Sequence, residues 1–377
     1  MTYRQLLFFI FCAPLLAFAD DSRDFSFSTP CNRDNDIVTL SFVGDILIHK
    51  PLYQGVVSGS KHFSQIWKKT NSLIQKADFS VANLEGPSAM GVDIHGKDHG
   101  DIGFVYDDFV YSGTNMVFNY HPRILADLKD SGYDMLTLAN NHALDRGSLG
   151  IDKTITSARE VGLETIGTKR SDEQNANFYD IVKIKNMRIA FLGCTEMING
   201  NPDRKGQILL CYKSETLDII KDLSRRSDVD AVIVYPHWGI EYQPLPDTNQ
   251  TAYAKRFIDA GAVAVIGSHP HVLEPWEKYT TKDGREGLIV YALGNFVAFQ
   301  KDIPRKTGTV AYLGLTRAGN QKARIFGVAY TPTFRSEMEL SPVGQNSSKD
   351  ILNYAASNFG TKNRLEPEQS LLGKICH

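Results

Sequence analysis

The sequence has almost no excess of charge, no second long apolar run and no internal repeat, and each absence removes a class of protein. Lys and Arg number 41 against 43 Asp and Glu, a formal net charge of -2, which gives no electrostatic reason to propose nucleic acid as a partner. An anionic substrate would have to be met locally. Beyond the N-terminus nothing is long and apolar enough to span a bilayer. No low-complexity tract occurs. The five cysteines have no metal-binding spacing.

What is present begins with a leader. Residues 1–19 carry a basic Arg4, an apolar run from Leu6 to Leu16, and then Ala17-Phe18-Ala19, the small-x-small pattern that signal peptidase accepts. Cleavage is placed before Asp20, and export to the periplasm or the medium is expected. No Cys stands at the cleavage point, which argues against a lipoprotein. Cys12 falls in the leader, leaving Cys31, Cys194, Cys211 and Cys376. In an oxidising compartment an even number favours disulfides, and the favoured pairs are Cys194 with Cys211 and Cys31 with Cys376. Four unpaired thiols remain the alternative.

The 377 residues suffice for one large α/β domain with an appendage, or two modest domains. After an extended lead-in over 20–36, short apolar runs alternate with helical stretches. The runs are 37–43, 79–82, 135–139, 188–192, 231–235, 262–266 and 287–291, and the helices 63–76, 122–130, 149–160, 214–226 and 251–259. Near-continuous apolar strands between helices predict a layered α/β fold with sheets buried on both faces. Residues 86–120 have no clear period, and a segment of that kind reads as a functional loop or a disordered one. Residues 300–340 predict a β-hairpin around Gly319-Asn320 that closes one edge, and 341–377 a polar segment, a short helix near 351–357 and a tail.

The chemistry sits where the strands end. The successive runs lead into Asp45, Glu85, Asn141, His237, and the pair His269 and His271. Ligand sites in α/β sheets form outside the carboxyl ends of the strands, so these six are expected to converge. Taken singly, each has an ordinary structural role open to it: Asp45 as a helix cap, Asn140 or Asn141 as a turn former, His237 as a packed ring beside Trp238. Taken jointly, they predict a metal site. Two divalent cations roughly 3.5–4 Å apart need a bridging carboxylate, with imidazoles, carboxylates or amides completing each shell. Glu85 suits the bridge, Asp45 and His271 one metal, and Asn141, His237 and His269 the other. Mixed N/O ligation fits Zn, Mn or Fe, one ion or two, better than Mg or Ca. His142 is set apart as the candidate general acid, with metal-activated water as the nucleophile.

The order of motifs makes the reading specific. Gly44-Asp45, Asn83-Leu84-Glu85-Gly86-Pro87, Ala139-Asn140-Asn141-His142-Ala143-Leu144-Asp145-Arg146-Gly147, His237-Trp238-Gly239-Ile240-Glu241-Tyr242, Gly267-Ser268-His269-Pro270-His271-Val272 and Tyr291-Ala292-Leu293-Gly294-Asn295-Phe296 resemble the successive motifs of the CapA-type poly-γ-glutamate capsule synthesis proteins. The resemblance covers 37–299. That family is similar to calcineurin-like metallophosphoesterases, which implies a four-layer α/β/β/α sandwich and metal positions at the same six residues. One departure stands out: the Asp-x-His of the first phosphoesterase motif is replaced, and the next histidine is His49.

Rim positions complete the expectation. Glu241 and Tyr242 either orient His237 or touch substrate, Asp145 and Arg146 hold the His142 loop or cap locally, and Asn295 faces the same rim. The 86–120 segment is the natural lid, with Asn119 and the following Arg123 as substrate contacts, His49 as another, and His95, His99 and His121 read as solvent-exposed. The resemblance implies a metal-dependent hydrolase or transferase of the cell envelope acting on a polyanionic polymer or phosphoester, with a membrane capsule synthesis complex as partner. The alternative is a non-catalytic, metal-containing, polymer-binding subunit.

Overall fold

A computed structural model describes residues 23–376 except 33, 115 and 174, so the expected leader over 1–19 lies outside the described residues. In chain order the strands are β1 (Asp36–Ile46), β2 (Phe79–Leu84), β3 (Ser112–Thr114), β4 (Val117–Asn119), β5 (Met135–Thr137), β6 (Glu164–Ile166), β7 (Tyr179–Ile184), β8 (Met187–Thr195), β9 (Ala231–His237), β10 (Ala264–Ile266), β11 (Leu273–Thr280), β12 (Glu286–Leu293), β13 (Asn295–Val297), β14 (Thr307–Arg317), β15 (Arg324–Ser336) and β16 (Glu339–Pro342). The helices are α1 (Lys50–Ser58), α2 (Asn71–Ile74), α3 (Arg123–Ser131), α4 (Gly147–Glu160), α5 (Ser214–Arg225), α6 (Thr248–Ala260), α7 (Ile303–Lys306), α8 (Lys349–Phe359) and α9 (Leu371–Ile375).

Side-chain alternation along β1 builds the layers. Val38, Leu40 and Phe42 point inward, onto Ile189 and Phe191 of β8 and Ile233 and Tyr235 of β9. Thr39 and Ser41 face the other way, where Ser41 Oγ bonds Ser80 Oγ at 2.8 Å. The first sheet runs β16-β15-β14-β1-β2-β5-β6 with β13 beside β1, and the second β11-β12-β10-β9-β8-β7. On the outer face of the first sheet lie Leu52 and Tyr53 of α1, Leu125 and Leu128 of α3, and Ile151 and Ile155 of α4. Outside the second sheet, Leu217 and Ile220 of α5 and Phe257 and Ile258 of α6 cover Leu192 and Val234. The order is therefore helix, sheet, sheet, helix: the four-layer α/β/β/α sandwich.

Several local expectations change. The helix expected over 63–76 is two 3-10 turns, Phe63–Ile66 and Lys68–Thr70, followed by α2. Its buried positions Phe63, Ile66, Trp67, Thr70, Leu73 and Ile74 keep the helical spacing read from the sequence, although the winding is largely 3-10. The 3-residue β5 stops at Thr137, short of the expected 139. The hairpin is present as β14 and β15, and β14 pairs along eight residues of β1, so it extends the first sheet. Both favoured disulfides form, Cys194 with Cys211 and Cys31 with Cys376. No helix among the described residues is long and apolar enough to cross a membrane.

A candidate metal centre at the strand ends of both sheets

Five strands deliver the site. Asp45 lies near the end of β1, Glu85 just past β2, Asn141 beyond β5, His237 at the end of β9, and His269 and His271 after β10. The first three come from one sheet and the histidines from the other, so the site spans the open end of the sandwich. Gly44 lets the sheet edges meet there, since a Cβ at that position would lie 2.0 Å from Gly294 O. Asp45 then pairs with Asn295 of β13.

All six residues are at most 3 % exposed. Around His237 Nε2 lie Asn141 Oδ1 at 2.9 Å, His269 Nδ1 at 3.0 Å and Glu85 Oε1 at 3.7 Å. On the other side Glu85 Oε1 is 3.8 Å from His271 Nε2, and His271 Nδ1 is 3.1 Å from Asp45 Oδ2. Ligand atoms of Asp45, Glu85 and His271 lie within 4.8 Å of one another, as do those of Glu85, His237 and His269. Glu85 is common to both groups.

Glu85 is also the anomaly. Both of its carboxylate oxygens are buried without a hydrogen-bond partner. A buried carboxylate in that state costs free energy unless something neutralises it. Burial pushes its pKa well above the usual range, with the charges of Asp45, Glu241 and Asp145 adding to the effect and His271 opposing it. Burial likewise holds His237 well below its ordinary value and His269 at about 3, so both imidazoles are neutral and have a lone pair to offer. Burial works against a charge on His271 too, but Glu85 and Asp45 overcome it and push it up to about 9. A divalent cation supplies the charge this set lacks, and its binding would displace those protons. An orphaned carboxylate among three imidazoles fits a transition metal better than an all-oxygen ion.

The backbone carries strain at the same place. His269 has φ 105° and His271 φ 60°, left-handed values that non-glycine residues rarely adopt. These turns bring the His269 amide 3.3 Å from Asp45 Oδ2.

The neighbours explain how the donors are held. Asn83 Nδ2 donates to Asp45 Oδ1 at 2.8 Å and lies 3.3 Å from His237 Nδ1, while Ser268 Oγ is 3.1 Å from that nitrogen. Asn83 and Ser268 were not among the expected site residues; their signal was a buried polar side chain one or two positions from a ligand. Asn140 is the turn former, donating to Leu84 O and accepting from the His142 amide. His142 Nδ1 is 2.8 Å from Asp145 Oδ2, which also accepts from the Phe118 amide at 2.7 Å. His142 directly follows Asn141 in sequence and is 1 % exposed.

The rim divides. Asn295 Oδ1 lies 3.0 Å from His271 Nδ1, and its amide nitrogen donates to His271 O, Gln300 Oε1 and Arg305 O, so it braces the His271 turn. The Tyr242 ring sits 5.9 Å from that of His271, and the Tyr242 amide donates to Pro270 O at 2.7 Å. Glu241 is grouped with His269 and His271. His49 belongs to none of the three groups; its Nδ1 accepts from the Phe299 amide at 3.1 Å, and burial holds its pKa at about 4.

One expected substrate contact needs correction. Asn119 is fully buried, and its amide is spent on Ala89, Val92 and Val110 within the lid, leaving nothing for a ligand. Arg123 turns to His62 Nε2 at 3.2 Å and Asp127 Oδ1 at 3.8 Å on α3. The 86–120 segment is built from ordered turns and the β3–β4 hairpin, and Tyr120 Oη donates to Glu85 O at 2.7 Å. His95 and His99 are exposed on it, and His99 Nε2 lies 2.7 Å from Asp93 Oδ2.

Comparison with known proteins bears on the whole arrangement. The chain is 28% identical over 285 residues to the capsule biosynthesis protein CapA of Bacillus anthracis, covering 71% of this chain and 61% of that protein. It is 27% identical over 318 residues to the PGA biosynthesis protein CapA of Bacillus subtilis (strain 168), covering 84% of this chain and 76% of that one. Against the solved 5'-nucleotidase of Candida albicans the TM-score is 0.34 at 12% identity, over 78% of this chain and 51% of the other, a likeness that carries no argument about activity. The profile described as bacterial capsule synthesis protein PGA_cap matches residues 39–300, well over half of the sequence, and the chain belongs to that family.

Proposed function

We propose that the protein is an exported metal-dependent hydrolase or transferase of the cell envelope that processes a poly-γ-glutamate-type polyanion. The observation that carries the reading is Glu85, buried with both oxygens unpartnered between His237 and His271. Asp45, Glu85, Asn141, His237, His269 and His271 would hold one or two ions of Zn, Mn or Fe. A divalent ion bound there supplies Lewis acidity toward a carbonyl or phosphoryl oxygen and toward water.

The chain's own groups supply the rest. Asp145 Oδ2 lies against His142 Nδ1 and orients the ring, so that in its imidazolium form the Nε2–H would give its proton to the leaving group, and the neutral ring left behind keeps its Nδ1–H on Asp145. The Phe118 ring, 4.7 Å from the imidazole, keeps it in place and excludes water from that side. Two disulfides suit an oxidising compartment and support export to the periplasm or medium. Membership of the capsule synthesis family supports work alongside a membrane capsule synthesis complex.

The test is turnover of poly-γ-glutamate and of a phosphodiester by the purified, metal-loaded protein and by His142→Ala. Loss of about 10²–10⁴-fold with folding and metal retained is the expected result for a general acid. No turnover by the metal-loaded wild type, with capsule assembly unchanged in His142→Ala, would favour the non-catalytic polymer-binding subunit, a reading supported by the missing close histidine: Leu47 stands two residues after Asp45 and is buried.

A further inference from the structure

The first motif leaves the centre one imidazole short, since Leu47 fills the position and His49 Nδ1 faces the Phe299 amide. A different group stands at the open side. Glu241 follows Trp238-Gly239 on the loop after β9 and is half-buried, whereas Glu85 is fully buried. Its carboxylate has an oxygen within 4.8 Å of ring nitrogens of both His269 and His271. Those two histidines belong to different inner groups, one with Glu85 and His237, the other with Glu85 and Asp45. Glu241 therefore spans the two halves from the solvent side, as Glu85 spans them from within.

The backbone holds it there at a cost. Tyr242, next in sequence, has φ 65°, and with His269 and His271 it makes three left-handed non-glycine residues at one site, of nine among the described residues. Strain of this kind persists only where the surroundings over-determine it. Here the Tyr242 amide donates to Pro270 O at 2.7 Å, which ties the Glu241 loop to the turn between the two histidines. At the foot of the loop the Gly239 amide donates to Glu196 Oε2 at 2.8 Å, and the capping box of Asp247 and Gln250 secures its far end. A loop fastened at three points does not hold a freely mobile surface carboxylate.

Charge gives a second reason. A bare carboxylate at the mouth of a site for a polyanion would repel its own substrate; one bound to a cation would not.

We propose that Glu241 is a metal-binding carboxylate that closes the solvent side of the centre, in place of the histidine the first motif lacks. It is thus a ligand, neither a support for His237 nor a substrate contact. The proposal rests on the reading of the six inner residues as a metal centre, and the test separates the two. Apo-protein is titrated with Mn²⁺ and with Zn²⁺, without substrate, for the wild type, Glu241→Gln and Glu85→Gln, with circular dichroism to confirm folding. Weakening of metal affinity by at least roughly tenfold in Glu241→Gln is expected, with a larger loss in Glu85→Gln. A Co²⁺-loaded sample should show a changed visible spectrum in Glu241→Gln, which a substrate contact would leave alone. Wild-type affinity and spectrum in Glu241→Gln, with binding lost in Glu85→Gln, would overturn this proposal and leave the centre standing. Failure of the wild type to bind either metal would overturn the centre itself.

Discussion

The 86–120 segment with its supports and the candidate metal centre are both buried and polar, and they solve burial in opposite ways. Beneath the 86–120 segment, Arg146 is 1 % exposed and every donor nitrogen has an acceptor: Nε gives to Val92 O, one terminal nitrogen to Asp145 O, the other to Val110 O and Ser112 Oγ. Asn119 beside it is equally satisfied. In the centre, Glu85 is just as buried and has no partner for either oxygen. A satisfied polar cluster specifies structure; an unsatisfied one marks the place where something else binds. The two meet at Asp145, which holds His142 of the centre and the Phe118 amide of the lid.

Three substitutions sharpen the contrast. Arg146→Ala removes a charged donor from two lid carbonyls and a hydroxyl, and a destabilisation of about 2–4 kcal/mol is expected from urea unfolding. Its metal affinity should stay within about twofold of wild type; a collapse of affinity with folding intact would join the two regions into one functional unit. Glu85→Gln is expected to do the reverse in the metal-free protein, raising stability by about 1–2 kcal/mol because it removes a buried carboxyl group that has no hydrogen-bond partner. A metal-free Glu85→Gln that melts below wild type would mean the carboxylate is stabilised from within.

Glu274 is the intermediate case, with Oε2 accepting from Gln250 Nε2 at 2.6 Å and Oε1 unpartnered. Burial pushes its pKa up from 4.5 to about 8, against the Gln250 hydrogen bond, with Asp247 adding to the rise. Between those values the folded protein retains a proton that the unfolded chain has lost, so stability is full below the lower value and falls as pH rises through the upper one. Glu274→Gln should flatten the stability profile between pH 4.5 and about 8. An unaltered slope would show that the group titrates normally.

Much of this was legible in the sequence because the ligands sit where buried parallel strands end. Asp45, Glu85, His237, His269 and His271 each follow an apolar run, and the sheets bring those ends together. What escaped notice lies at edges and in tertiary packing. Strand β11 contains Pro275 and three charged residues and reads as loop, yet it forms an edge of the second sheet, where a missing amide is tolerated. Strand β7, half-exposed at the other edge, lacks a continuous apolar run for the same reason. Helix α1 begins Lys50-Pro51 and contains Gly55, and its Tyr53 packs on Phe104 and Tyr106 of the 86–120 segment. Asn119 and Arg123 looked like substrate contacts because polar residues in a long loop suggest function, whereas Asn119 holds that loop's backbone together.

The most direct test of the unsatisfied centre is elemental analysis of the purified protein beside its Glu85→Ala, His271→Ala double variant. One or two equivalents of a divalent transition metal per wild-type chain, and none in the variant, is the predicted result. The same metal content in both would contradict the account.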